Sequence, residues 1–125
     1  MKFRHVTLSV KDMDASLRFY QNMTGLELHR RYQARPGTEI AFLGSGETEV
    51  ELISSESDAS AGPAPGQGIS LGFESASLED TIRSLRENNY ETDGVIQSPN
   101  PNVRFFFALD PDGYRIQFIT PEQVR

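Results

Sequence analysis

In this 125-residue chain two residues with side chains suited to holding a metal ion, His5 and Glu51, are each matched later in the chain by a residue of different chemistry. His5 opens His5-Val6-Thr7-Leu8-Ser9-Val10, which reads like Gly68-Ile69-Ser70-Leu71-Gly72-Phe73 at an offset of 63. Glu51 lies in Val50-Glu51-Leu52-Ile53, which reads like Ile116-Gln117-Phe118-Ile119 at an offset of 66. Imidazole and carboxylate are ordinary ligands of a divalent cation, but a tight site takes three or more such donors. Gly68 has no side chain to offer, and Gln117 supplies only a neutral amide oxygen. His5, Glu51 and Gln117 therefore make an incomplete metal set. Gln117 cannot act as a general base, whereas Glu51 could serve alone as one.

Their neighbours widen the choice of chemistry. In a strand, alternate residues share a face, so His5, Thr7 and Ser9 go together, as do Glu47, Glu49 and Glu51. In the second copy the equivalent sets are Gly68, Ser70, Gly72 and Gly113, Arg115, Gln117. The three glutamates form either a site for a cationic ligand or a solvated face, with Arg115 standing where the first copy has Glu49. Without a metal, His5 is a hydrogen-bonding residue, and Glu51 is a salt-bridge partner or a ligand-binding carboxylate. Phe105-Phe106-Phe107 must place rings on both faces of its strand, so at least one ring, with Phe106 as the candidate, is expected to line a pocket wall rather than the core. The opposite reading puts these rings in the core or a dimer interface. Arg104, just before them, is a candidate for an anionic ligand group.

The elements that position these residues can be read from period and punctuation. Residues 2–10 alternate as a half-buried strand. Asp12 can cap a helix over 13–23, whose stripe is Met13, Leu17 and Tyr20 and whose stop is Gly25. Strands are expected over 26–35, 38–43 and 47–54, divided by Pro36-Gly37 and Gly44-Ser45-Gly46. Residues 55–67 are small, polar and rich in Pro and Gly, a linker composition. A strand over 68–74 follows, then a helix opened by Ser77 with Asp80 three residues on, striped by Leu78, Ile82 and Leu85 and closed by Asn88-Asn89. Strands near 90–97, 103–109 and 114–120 complete the chain, the last two joined by the turn Asp110-Pro111-Asp112-Gly113. The order βαβββ thus occurs twice, giving an α+β fold in which the apolar face of each sheet covers its own helix. The polar faces of the two modules are expected to enclose a central cleft.

Composition excludes several classes of function. The net charge of −6 and a pI near 4.8 would repel nucleic acid and anionic membranes. Arg30, Arg31 and Arg35 cluster, as a solvated face or an anion site. No cysteine is present, which removes thiolate catalysis and disulfides and fits a reducing, cytoplasmic setting. No segment has the length of a membrane span or the shape of a signal peptide, so a soluble, unprocessed single domain over 1–125 is expected, with modules at 1–54 and 68–120.

The stretch HVTLSVKDMDASLRFYQNMTGLEL, then VELIS, then LDPDGYRIQFIT, resembles the vicinal oxygen chelate superfamily. That group includes glyoxalase I, extradiol dioxygenases, methylmalonyl-CoA epimerase and the fosfomycin and bleomycin resistance proteins. The resemblance covers nearly the whole chain and implies paired βαβββ modules curled around a cleft, a small-molecule ligand and a homodimer. It also implies divalent-metal ligands (nickel, zinc or manganese in such enzymes) on the first and last strands of each module, here His5, Glu51, Gly68 and Gln117. His5 and Glu51 match the glyoxalase I pattern; Gly68 stands in place of its histidine and Gln117 in place of its glutamate. The reading that follows is a small-molecule binder without a tight metal, as a sequestering protein or a metal-free enzyme. A glyoxalase I-like lyase with a weak site through His5, Glu51 and Gln117 is the alternative, and a purely structural or interaction domain is a third.

Overall fold

Asp12 and Ser77 begin the two helices by the same device. The Asp12 carboxylate accepts the Ala15 N–H at 3.1 Å, opening α1 (Met13–Met23), and the Ser77 hydroxyl accepts the Asp80 N–H at 3.2 Å, opening α2 (Leu78–Glu87). Each cap satisfies an amide that the helix itself cannot, an effect of about 1 kcal/mol. The helices also close on left-handed residues, Gly25 at φ 77° and Asn89 at φ 65°, where the Leu26 and Tyr90 amides turn back to the Tyr20 and Leu85 carbonyls. The computed structural model describes residues 1–56, 63–66 and 68–121.

The chain forms two compact units, Met1–Ala64 and Pro65–Arg125. In the first, β1 (His5–Ser9), β2 (Leu28–Arg35), β3 (Thr38–Leu43) and β4 (Glu49–Ser55) form a sheet of order β1-β4-β3-β2, with β1 parallel to β4 and the other pairs antiparallel. In the second, β5 (Ser70–Glu74), β6 (Ile96–Gln97), β7 (Arg104–Leu109) and β8 (Arg115–Ile119) form a sheet of order β5-β8-β7-β6 with the same pattern of directions. Each unit is βαβββ, and the fold is α+β with two open, mixed sheets.

Period-2 alternation sorts each sheet into an apolar and a polar face. Leu8, Val10, Ala41, Leu43 and Leu52 are buried with Met13, Leu17, Phe19 and Tyr20 of α1. Phe106, Ala108, Ile116 and Phe118 are buried with Leu78 and Leu85 of α2. Full burial of such side chains stabilises by about 1.5–3 kcal/mol each.

Several boundaries differ from the sequence reading. The strand expected over 47–54 starts at Glu49, and Glu47 instead lies 3.4 Å from Lys2 outside the sheet. The strand expected near 90–97 shrinks to Ile96–Gln97 and one bridge between Thr92 and Ala108. Asp93 is the reason: its carboxylate takes the Phe107 N–H at 2.7 Å, while its own amide bonds the Phe107 carbonyl. A side chain that supplies ladder bonds locally interrupts the strand. Ser55 belongs to β4, while residues 57–62 and 67 of the expected linker lie outside the described residues.

The strand register also revises how the two copies match. His5 pairs with Glu49 and Thr7 with Glu51, whereas Ser70 pairs with Arg115 and Gly72 with Gln117. The helix caps Asp12 and Ser77 are 65 residues apart, and the same step carries His5 to Ser70. By pairing and by cap, Ser70 is the counterpart of His5. Gly68 lies two residues before β5 begins.

Candidate functional site

In the first unit the polar residues meet on the face of the sheet opposite α1. Parallel pairing of β1 with β4 sets Thr7 beside Glu51, and the Thr7 hydroxyl donates to Glu51 Oε1 at 2.5 Å. His5 Nε2 lies 3.3 Å from the same oxygen, and its ring meets Phe42 edge-on with centroids 5.5 Å apart. Glu51 is 14% exposed, so these contacts hold a carboxylate that has little water around it.

A second histidine and a cation join this face through a bulge in β2. Leu28 pairs with Leu43 and Arg30 with Phe42, leaving His29 as an extra residue between them. Such an insertion re-aims a side chain. His29 Nδ1 comes to 2.6 Å from Glu49 Oε2, while the Arg30 guanidinium lies 4.4 Å above the Phe42 ring and 5.8 Å from that of Tyr32. The arginine cluster is thereby divided. Arg31 points to the helix side, bonded to Glu39 at 2.6 Å and to Asp14 at 2.9 Å, and these partners, Glu39 first, raise its pKa above the ordinary arginine value.

In the second unit the equivalent face carries Ser70, Gly72, Phe105, Phe107, Arg115 and Gln117. Phe107 lies across from Gln117, and the Arg115 guanidinium stacks 4.1 Å over the Phe107 ring. Glu91, Thr92, Asp93 and Leu109 join Phe107 and Arg115 around a pocket of about 310 Å³.

Two candidates fall elsewhere. Phe106 does not line a pocket: it is fully buried and stacks on Phe118 at 5.2 Å, because its strand parity is that of Ala108 on the core side. The rings on the open face are Phe105 and Phe107, which meet edge-on at 5.9 Å. Arg104 shares the parity of Phe106, and its guanidinium is engaged by Glu79 of α2 at 2.9 Å. That contact, before other causes, lowers the Glu79 pKa.

The donor set fits a tightly held metal poorly. Among the described residues no group of three His, Asp or Glu side chains is placed to hold one. Glu51 already serves Thr7, Gln117 is a neutral donor, and neither Gly68 nor Ser70 provides an imidazole. His29, Arg30 and Phe42 were not singled out for this face by the sequence. A histidine just before an arginine on a strand edge was the available signal, but strict alternation never places His29 and Arg30 on the same face.

The sequence pattern of the Glyoxalase/Bleomycin resistance protein/Dioxygenase superfamily matches residues 2–118. The chain belongs to this superfamily. Within it, the chain is 33% identical over 120 residues to YwbC of Bacillus subtilis, spanning 91% of this chain and 93% of that protein. It is 27% identical over 124 residues to the lactoylglutathione lyase of Neisseria meningitidis, spanning 95% and 90% of the two. In structure it is similar to the trypanothione-dependent glyoxalase I of Leishmania major, with a TM-score of 0.80 at 21% identity over 98% of this chain and 88% of that one. The last likeness speaks to the superfamily fold alone.

Proposed function

We propose that this glyoxalase-superfamily chain binds a small organic molecule on the polar faces of its sheets and does so without a tightly held metal. One observation carries the reading: Glu51 accepts from Thr7 and abuts His5 beside the Arg30–Phe42 stack, a polar, charged and aromatic surface already organised by its own contacts. A few fixed polar groups beside an aromatic wall suit a small ligand. Ser70, Arg115 and Gln117 extend the ligand-binding set in the second unit, with Phe107 taking the role expected of Phe106. Glu51 is the base if a reaction follows.

Likeness to the lactoylglutathione lyase of Neisseria meningitidis favours a second reading, a lactoylglutathione lyase-like enzyme with a weak divalent site through His5, Glu51 and Gln117. Turnover of a methylglyoxal–thiol hemithioacetal separates the two. Under the leading reading wild type shows no metal-dependent turnover; efficient turnover restored by nickel, zinc or manganese and abolished by Glu51→Gln establishes the lyase. We further propose a cytoplasmic homodimer, to be tested by light scattering across concentration; among the described residues no helix is long and apolar enough to cross a membrane.

A further inference from the structure

We propose that the second unit binds a free α-amino acid with an apolar side chain, held as its zwitterion between Arg115 and Glu91, a role that rests on the ligand-binding reading above. Strand pairing sets the two charges apart. Thr92 bridges Ala108 on the core side of β7, while the Leu109 N–H bonds the Glu91 carbonyl and the Asp93 N–H bonds the Phe107 carbonyl. Side chains alternate along such a ladder, so Glu91 and Asp93 fall on the open face with Phe107 and Leu109. On the other side of β7, Leu109 pairs with Arg115 of β8. Glu91 and Arg115 are thus two strand spacings apart, about 10 Å between backbones. Both line the same pocket of about 310 Å³, whose wall also holds Asp93, Phe107 and Leu109.

Neither charge is spent on the other. Among the described residues Arg115 and Glu91 have no ion-pair partner. Arg115 uses the flat face of its guanidinium, 4.1 Å over the Phe107 ring, and stacking leaves the in-plane N–H donors available to grip a carboxylate through two bonds. Asp93 is fixed at the pocket beside Glu91, because its carboxylate takes the Phe107 N–H at 2.7 Å. The two carboxylates disfavour a plain anion, and Arg115 disfavours a plain amine. A molecule with both charges on either side of one carbon answers both, its carboxylate on Arg115 and its ammonium on Glu91. Phe107 and Leu109 give the wall an apolar surface for the ligand's side chain, and the volume lies at the small end of ligand pockets. The site belongs to the second unit: where it has Arg115 the first has Glu49, engaged by His29 at 2.6 Å.

The test is isothermal titration calorimetry with L-leucine, with leucinamide, which keeps only the cation, and with N-acetyl-L-leucine, which keeps only the anion. L-Leucine should bind, and removing either charge should weaken binding about tenfold or more. Arg115→Gln should weaken L-leucine by a similar factor without weakening leucinamide, and Glu91→Gln should weaken L-leucine without weakening N-acetyl-L-leucine. Both positions are exposed, and circular dichroism checks that the variants are folded. Equal affinity for L-leucine and N-acetyl-L-leucine overturns the zwitterion, as does either variant binding L-leucine like wild type. A set of uncharged alcohols, amides and ketones, followed by saturation-transfer NMR, separates this proposal from the reading beneath it. Fragments that bind wild type when L-leucine does not overturn the amino acid and leave the ligand-binding reading standing. Binding of neither L-leucine nor any fragment overturns both.

Discussion

Glu51 takes the Thr7 hydroxyl at 2.5 Å on the same Oε1 that stands 3.3 Å from His5 Nε2. The relationship follows from parallel pairing, which sets Thr7 directly beside Glu51 and His5 one step along the same face. Thr7→Val keeps the shape of the side chain but strips a hydrogen bond from a mostly buried carboxylate. The expected loss is about 0.5–1.5 kcal/mol in urea unfolding, since Thr7 is exposed and water can reach the vacated position, whereas Thr7→Ser, which keeps the hydroxyl, should lie closer to wild type.

The same geometry bears on metal. Protein prepared without an affinity metal, dialysed against nickel, zinc or manganese and then against buffer, should retain far less than one ion per chain by elemental analysis. His5→Ala and Glu51→Gln should each remove whatever remains. Stoichiometric metal in wild type that is lost in His5→Ala would contradict the proposed reading.

The helices and the faces were legible in the sequence because their determinants are local. Asp12 and Ser77 cap where the pattern places them, and the Met13, Leu17, Tyr20 stripe faces the core. The match between the copies was read two residues out, with Gly68 in the slot that the register gives to Ser70. A shift of two preserves strand parity, so the faces of β1 and β5 came out right despite it. A shift of one does not, and that is the difficulty at His29: the bulge depends on how β2 pairs with β3, which the β2 sequence alone does not encode. In the run 105–107 three identical residues conceal which parity is buried, and only Ala108 and the cross-strand Phe118 resolve it.

That parity leads to a contrast between neighbouring phenylalanines. Phe106 is fully buried on Phe118, while Phe107 lies beneath the Arg115 guanidinium on the other face. Phe106→Ala leaves a cavity in the second core and should cost about 3–5 kcal/mol. Phe107→Ala should cost much less in thermal or urea unfolding, yet weaken any ligand that binds beside Arg115 by removing the ring that steadies the guanidinium. Equal losses of stability in the two variants would contradict the assignment of faces.

Arg104 and Glu79 make the last prediction. Their contact at 2.9 Å ties β7 to the first turn of α2, and Arg104 holds the Glu79 carboxyl below its ordinary value of 4.5. A carboxyl with a lowered folded-state pKa binds its proton less readily when folded than when unfolded. Its contribution is therefore fully present above the unfolded value and is lost as pH falls through the folded one. Above about pH 6 the melting temperature of Glu79→Gln should trail wild type slightly and by a constant amount, since the pair is exposed and screened by salt. Below pH 4.5 the two curves should converge as wild-type Glu79 takes up its proton. Arg104→Gln should reproduce both effects, because either substitution removes the same pair. A difference that persists undiminished at low pH would assign the effect to packing rather than to the charge on Glu79.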